Sequence, residues 1–182
     1  MPETPATRKP ALPLAGPATQ AGPPARSPDE LMLMPGELFF GRDVACLRTL
    51  LGSCVAVTLW HPKRRIGGMC HFLLPGRTRD PGQPRDGKYG DEAVGMLVDA
   101  LKRAGTRPAD YEAHLYGGAD TMPDLERSMR YVGERNIETG WRLIDEFGFN
   151  LVGVDVGENV PRVLRMSLIT GRVDMQRGQS AR

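Results

Sequence analysis

The chain has 182 residues, a formal net charge of +2 with 24 Lys and Arg against 22 Asp and Glu, and 40% apolar residues. This length suits one domain with a proper core, and the near balance of charge gives neither a basic footprint for nucleic acid nor a polybasic anchor for a membrane. No apolar stretch approaches the roughly 20 residues that span a bilayer and the N-terminus lacks the apolar run of a signal peptide, so a cytoplasmic protein is expected.

Eight of the 16 prolines fall in the first 30 residues, among Ala, Gly and Thr, with Arg8, Lys9 and Arg26 set against Glu3, Asp29 and Glu30. Such a segment cannot bury a core, and residues 1–30 read as a disordered leader. Residues 31–34 and 45–49 are strand-like. The apolar runs 55–60 and 66–74 flank His61-Pro62-Lys63-Arg64, a turn signal with Pro at its second position, and together predict a β-hairpin. Residues 75–90 form a polar Pro- and Gly-rich loop of a length that is commonly functional. Asp91 and Glu92 open a helix whose apolar positions Ala93, Val94, Leu97, Ala100, Leu101 and Ala104 recur at helical spacing up to Gly105.

Residues 111–116 predict a strand ending at Gly117-Gly118. A second helix over 133–147 places Ile137, Trp141, Ile144 and Phe147 on one stripe, which predicts Trp141 in the core. Residues 151–156 form a strand, 162–169 and 173–176 a last hairpin through Thr170-Gly171, and 177–182 a disordered tail. Many strands, two long helices and neither GxGxxG nor GxxxxGK[ST] predict an α/β (α+β) domain over 31–176, built from packed antiparallel or mixed sheets without a nucleotide fold.

Cys54, followed 17 positions later by His71, carries the chemistry. If His61 pairs with Arg64 across the turn, Cys54 lies directly opposite His71 on the same face of the hairpin. Opposed Cβ atoms are roughly 4.5–5.5 Å apart, so an imidazole reaches a thiol. A slip of one residue would separate them. Free Cys is usually a buried small hydrophobe, which is the reading taken for Cys46 and Cys70. A nucleophile with a base in reach is the reading the hairpin supports for Cys54. Three Cys without CxxC spacing fit a reducing compartment, and His61, His71 and His114 share no metal-ligand spacing with them, so neither metal nor cofactor is expected.

Leu51-Gly52-Ser53-Cys54-Val55 with His71-Phe72-Leu73-Leu74-Pro75, joined by Tyr116-Gly117-Gly118-Ala119 and Gly133-Glu134-Arg135-Asn136, resembles the chemoreceptor glutamine deamidases of the CheD family over about residues 31–176. The resemblance implies a cytoplasmic protein-glutamine amidohydrolase that converts selected glutamines on helices of methyl-accepting chemotaxis proteins to glutamate. It further implies a layered fold similar to deamidating toxins and cysteine hydrolases, a Cys-His-Thr catalytic set, and a CheC-like chemotaxis phosphatase as a second partner. Cys54 and His71 match the family motif. Thr49 stands five residues before the cysteine, with Arg48 at the sixth. Gly157-Glu158 and Val160-Pro161-Arg162 depart from the Gly-Gly and Gly-Arg pairs of the family.

A thiol with pKa near ~8.5 is only slightly ionised at neutral pH and needs a base, which His71 supplies. Thr49 Oγ1 is the candidate for fixing the imidazole tautomer, and the turn at Gly52, Ser53 and Cys54 for the oxyanion hole, with Gly52 supplying unusual backbone angles. Two alternatives use the same residues: another Cys-His acyl hydrolase of peptidase or transglutaminase type, and a non-enzymatic chemotaxis binding module in which Cys54 is a core residue.

Overall fold

Strands β4 (Val55–His61) and β5 (Ile66–Phe72) are buried along their whole length. Strands covered on both faces need a layer on each side, and that requirement sets the architecture. The computed structural model describes residues 29–120 and 127–179. β4 and β5 sit inside a five-stranded sheet with β2 (Leu38–Gly41), β6 (Glu112–Gly117) and β7 (Asn150–Val156), in the order β2-β5-β4-β6-β7. A second sheet of order β1-β3-β8-β9 comprises β1 (Glu30–Met32), β3 (Cys46–Leu51), β8 (Arg162–Ser167) and β9 (Val173–Arg177). All pairings are antiparallel except β1 with β3 and β6 with β7.

Side chains alternate between the two faces of the central strands. Ala56, Trp60, Met69 and Tyr116 pack against Leu47, Leu51, Leu164 and Met166 of the second sheet. Val57, Leu59, Cys70 and Leu115 pack against Val94, Leu97, Leu143 and Ile144 of helices α1 (Gly90–Arg103) and α2 (Arg127–Phe147). The result is the predicted α+β arrangement of mixed sheets flanked by helices.

Two expectations are corrected. The hairpin register pairs His61 with Ile66 and His71 with Ala56, because four residues, 62–65, form the turn and Arg65 takes a left-handed φ of 50°. Cys54 is therefore not directly opposed to His71 and lies just before β4. Trp141 is 44% exposed. The buried stripe of α2 runs through Gly133, Asn136, Gly140, Leu143 and Ile144, and Gly140 is needed because a Cβ there would meet Leu115 Cδ1 at 2.5 Å. Short β2 forms one edge of the five-stranded sheet. It pairs with β5 through Leu38 and Cys70.

The folded part also starts earlier and ends later than expected. β1 begins at Glu30, whose carboxylate pairs with Arg165 at 3.0 Å, and β9 ends at Arg177. Residues 1–28 of the expected leader and 180–182 of the expected tail lie outside the described residues.

Candidate active site

The two-residue change of register keeps Cys54 on the His71 side of the sheet, since side chains alternate with period two. Cys54, half-buried, packs with Ala56 and Tyr116 in the layer between the sheets. Directly opposite His71 stands Ala56. Its small side chain leaves the imidazole a diagonal path toward Cys54, a separation of ~7–8 Å between backbones that a long side chain spans. His71 is 1% exposed, and its main chain is held on the far side: its N–H donates to Glu37 O at 3.0 Å and its carbonyl accepts from Gly36 N–H at 2.7 Å.

Thr49 comes from the other sheet. β3 alternates a buried Leu47, Thr49 and Leu51 with an exposed Arg48 and Leu50, so Thr49 rather than Arg48 points at the imidazole. Thr49 Oγ1 lies 2.8 Å from His71 Nδ1 and 2.8 Å from Leu33 O. The Leu33 carbonyl only accepts, so the single hydroxyl proton goes to it, and Thr49 Oγ1 accepts from Nδ1–H. The tautomer follows: Nε2 carries the lone pair. Nε2 is buried and has no hydrogen-bond partner among the described residues.

Burial lowers the His71 pKa to about 4, against smaller opposing effects of the Leu33 carbonyl and the Glu37 carboxylate. Burial likewise raises the Cys54 thiol above its ordinary value. Both groups are thus neutral at rest, on the same side of the sheet and without a hydrogen bond between thiol and imidazole. Cys70 points into the helix-side core, where burial drives its pKa to about 12, and Cys46 is buried with Sγ at 3.6 Å from Leu47 O. Neither is placed to react.

The turn before Cys54 is held by its carbonyls. Gly52 O accepts from Ala119 N–H at 2.9 Å, Cys54 O from Gly118 N–H at 2.7 Å, and Ser53 O from Asn136 Nδ2 at 3.1 Å. The left-handed backbone predicted at Gly52 occurs across from it instead, at Gly117 with φ 107° and Gly118 with φ 69°. A Cβ on Gly117 would stand 2.2 Å from Cys54 O. Close approach, not turn flexibility at Gly52, is what glycine supplies here.

Asn136 is the residue whose role the sequence did not reveal. It is fully buried on α2, and its Nδ2 also donates to Leu73 O at 2.8 Å, two residues beyond His71. The departures at 157–162 support the same wall: Gly157 N–H donates to Gly117 O at 2.9 Å, Asp120 N–H to Glu158 O at 2.7 Å, and buried Arg162 holds Asp155 at 2.5 Å and Gly157 O at 2.9 Å. A cleft of about 350 Å³ lies beside Gly118, lined also by Asp120, Tyr131, Glu134, Gly157 and Glu158. Among the described residues no group of three or more His, Cys, Asp or Glu is placed to hold a metal ion, and no helix is long and apolar enough to cross a membrane.

The family model for CheD chemotactic sensory transduction matches residues 73–177. The chain is 43% identical over 146 residues to the "Probable chemoreceptor glutamine deamidase CheD" of Pseudomonas fluorescens, covering 79% of this chain and 82% of that protein. It is 38% identical over 187 residues to "Probable chemoreceptor glutamine deamidase CheD 1" of Chromobacterium violaceum, covering 100% of this chain and 94% of the relative. Against "Probable chemoreceptor glutamine deamidase CheD 3" of Dechloromonas aromatica it is 40% identical over 144 residues, covering 79% and 85%.

Proposed function

The chain belongs to the CheD family, and from that premise we propose that it is a chemoreceptor glutamine deamidase using Cys54 as nucleophile, His71 as base and Thr49 as the group that orients the base. The observation that carries this reading is the bond sequence Leu33 O, Thr49 Oγ1, His71 Nδ1, which leaves Nε2 unprotonated and unpartnered. Cys54 Sγ attacks the side-chain carbonyl carbon of glutamine while Nε2 takes the thiol proton. The proton then passes to the departing nitrogen, ammonia leaves, and a thioester remains on Cys54. Water attacks the thioester with His71 again as base, releasing glutamate and the thiol.

The turn at Gly52, Ser53 and Cys54 presents main-chain N–H groups to the developing oxyanion. The partners are cytoplasmic helices of methyl-accepting chemotaxis proteins, with a CheC-like phosphatase as a second partner, and the setting is the cytoplasm. No cofactor takes part in these steps. Incubation with a receptor cytoplasmic fragment, followed by mass spectrometry of each glutamine, tests the proposal. Cys54→Ala should fold and melt like the native chain and convert none. Conversion retained in Cys54→Ala rejects the mechanism, and backbone cleavage of the fragment makes the protein a peptidase.

A further inference from the structure

We propose that Asn136 is a positioning residue that aims the main-chain N–H of Cys54 at the oxyanion, an inference that rests on Cys54 being the nucleophile. The three carbonyls of residues 52–54 all have donors, whereas the N–H groups of Ser53 and Cys54 have no protein acceptor among the described residues. This asymmetry leaves two donors free beside the thiol. In a trans peptide the C=O and the following N–H point in opposite directions, so whatever holds Ser53 O sets the direction of Cys54 N–H. Asn136 Nδ2 holds Ser53 O from the helix layer. Cys54 N–H is therefore turned away from α2, toward the layer between the sheets in which the Cys54 side chain packs.

The chemistry of the two contacts explains the amide. Both targets, Ser53 O and Leu73 O, are carbonyls and only accept, so a group with two N–H donors is needed to bridge them, and the Asn136 amide supplies these without a buried charge. The other end of the amide, Oδ1, is buried without a partner among the described residues. An unsatisfied buried acceptor is costly, and packing alone would favour an apolar side chain here. The amide joins the turn that carries the nucleophile to the strand end that carries the base, 83 and 63 residues away in sequence.

The test uses Asn136→Ala and Asn136→Asp in the full chain, with three readouts. Loss of one oxyanion donor lowers kcat by about 10²–10³, and both variants should show a fall toward that range on a receptor fragment at neutral pH. Alkylation of Cys54 by iodoacetamide develops no oxyanion and should keep its native rate. Asn136→Asp should regain turnover as pH falls, because a neutral carboxyl donates to Ser53 O and an ionised one repels it, whereas the native enzyme loses turnover on the acid side as His71 protonates. Native kcat in Asn136→Ala, a parallel loss of alkylation and deamidation, or a native-like pH profile in Asn136→Asp overturns the inference.

A measurement on the native chain covers variants that do not fold. A receptor peptide bearing a side-chain aldehyde in place of the glutamine amide should add the Cys54 thiol, forming an S–C bond while the carbonyl oxygen becomes the oxyanion and His71 takes the thiol proton. The amide proton of Cys54 should then shift downfield by NMR. No adduct at Cys54 rejects the nucleophile itself, whereas an adduct with an unmoved Cys54 amide rejects only the role of Asn136.

Discussion

Thr49→Val removes one hydroxyl and little else. Valine has the shape of threonine and the same β-branched preference for a strand, so β3 should keep its backbone and its alternation. What changes is hydrogen bonding inside a site where Thr49 is fully buried and His71 is 1% exposed. Leu33 O loses its donor and His71 Nδ1–H loses its acceptor, since Thr49 Oγ1 lies 2.8 Å from each of Leu33 O and Nδ1. Each orphaned buried group costs about 1–3 kcal/mol, so the variant should lose about 3 kcal/mol. In a domain of this size that is roughly 6–12 °C of Tm. The imidazole is then free to move its proton to Nε2, and turnover on a receptor fragment should fall by about 10–100-fold, less than for loss of Cys54 or His71. Thr49→Ser restores the hydroxyl and should recover most of both losses. The assays are thermal unfolding followed by circular dichroism and deamidation followed by mass. Native Tm and turnover in Thr49→Val, or no recovery in Thr49→Ser, would refute the orientation of the base by Thr49.

The depressed His71 pKa also links stability to pH. Burial holds His71 at about 4 in the native chain, against about 6.5 unfolded, so the unfolded state binds the extra proton. The contribution is fully present above about pH 6.5 and is lost as pH falls through about 4, a difference of about 3 kcal/mol that His71→Gln should abolish in urea unfolding measured across that window; equal pH slopes in the two proteins would rule it out. Glu158 has a left-handed φ of 60° and an exposed pair with Arg177 at 3.0 Å. Relief of about 1 kcal/mol of backbone strain exceeds the few tenths typical of such a pair, so Glu158→Gly should raise Tm by a few degrees, and a fall in Tm would show that the pair dominates.

What was legible in the sequence is what repeats locally. The turn signal at residues 61–64 between two strand-like runs put Cys54 and His71 on one face, and it did so although the register was off by two, because only an odd slip exchanges faces. The same alternation decides between Thr49 and Arg48: with Leu47 and Leu51 buried, an arginine between them must face water. The turn length was not legible. Pro62 suited a tight turn, and the left-handed Arg65 that makes a four-residue loop carries no sequence signal of the kind glycine gives. The stripe of α2 was misread for a related reason. Gly133 and Gly140 register as neutral in a hydropathy pattern, yet they let the helix approach the sheet closely, and this turns Trp141 outward.

The contacts that make the site chemically specific are long-range, and no local pattern contains them. Leu33 O meets Thr49 because β1 runs parallel to β3, and Asn136 meets Ser53 because α2 crosses the end of the central sheet. Together these contacts place neutral partners in the layer between the sheets, with burial raising the thiol and lowering the imidazole. A resting ion pair is thereby disfavoured. In the proposed mechanism, proton transfer from Cys54 to His71 becomes favourable only as the sulfur–carbon bond forms and negative charge moves to the glutamine oxygen, where oriented N–H groups would stabilise it. Burial raises the pKa of both Cys54 and Cys70 and by itself gives neither thiol a reason to react. The free Nε2 and the pinned turn separate the two thiols, so reactivity here depends on how neighbouring polar groups are aimed more than on the acidity of the thiol itself.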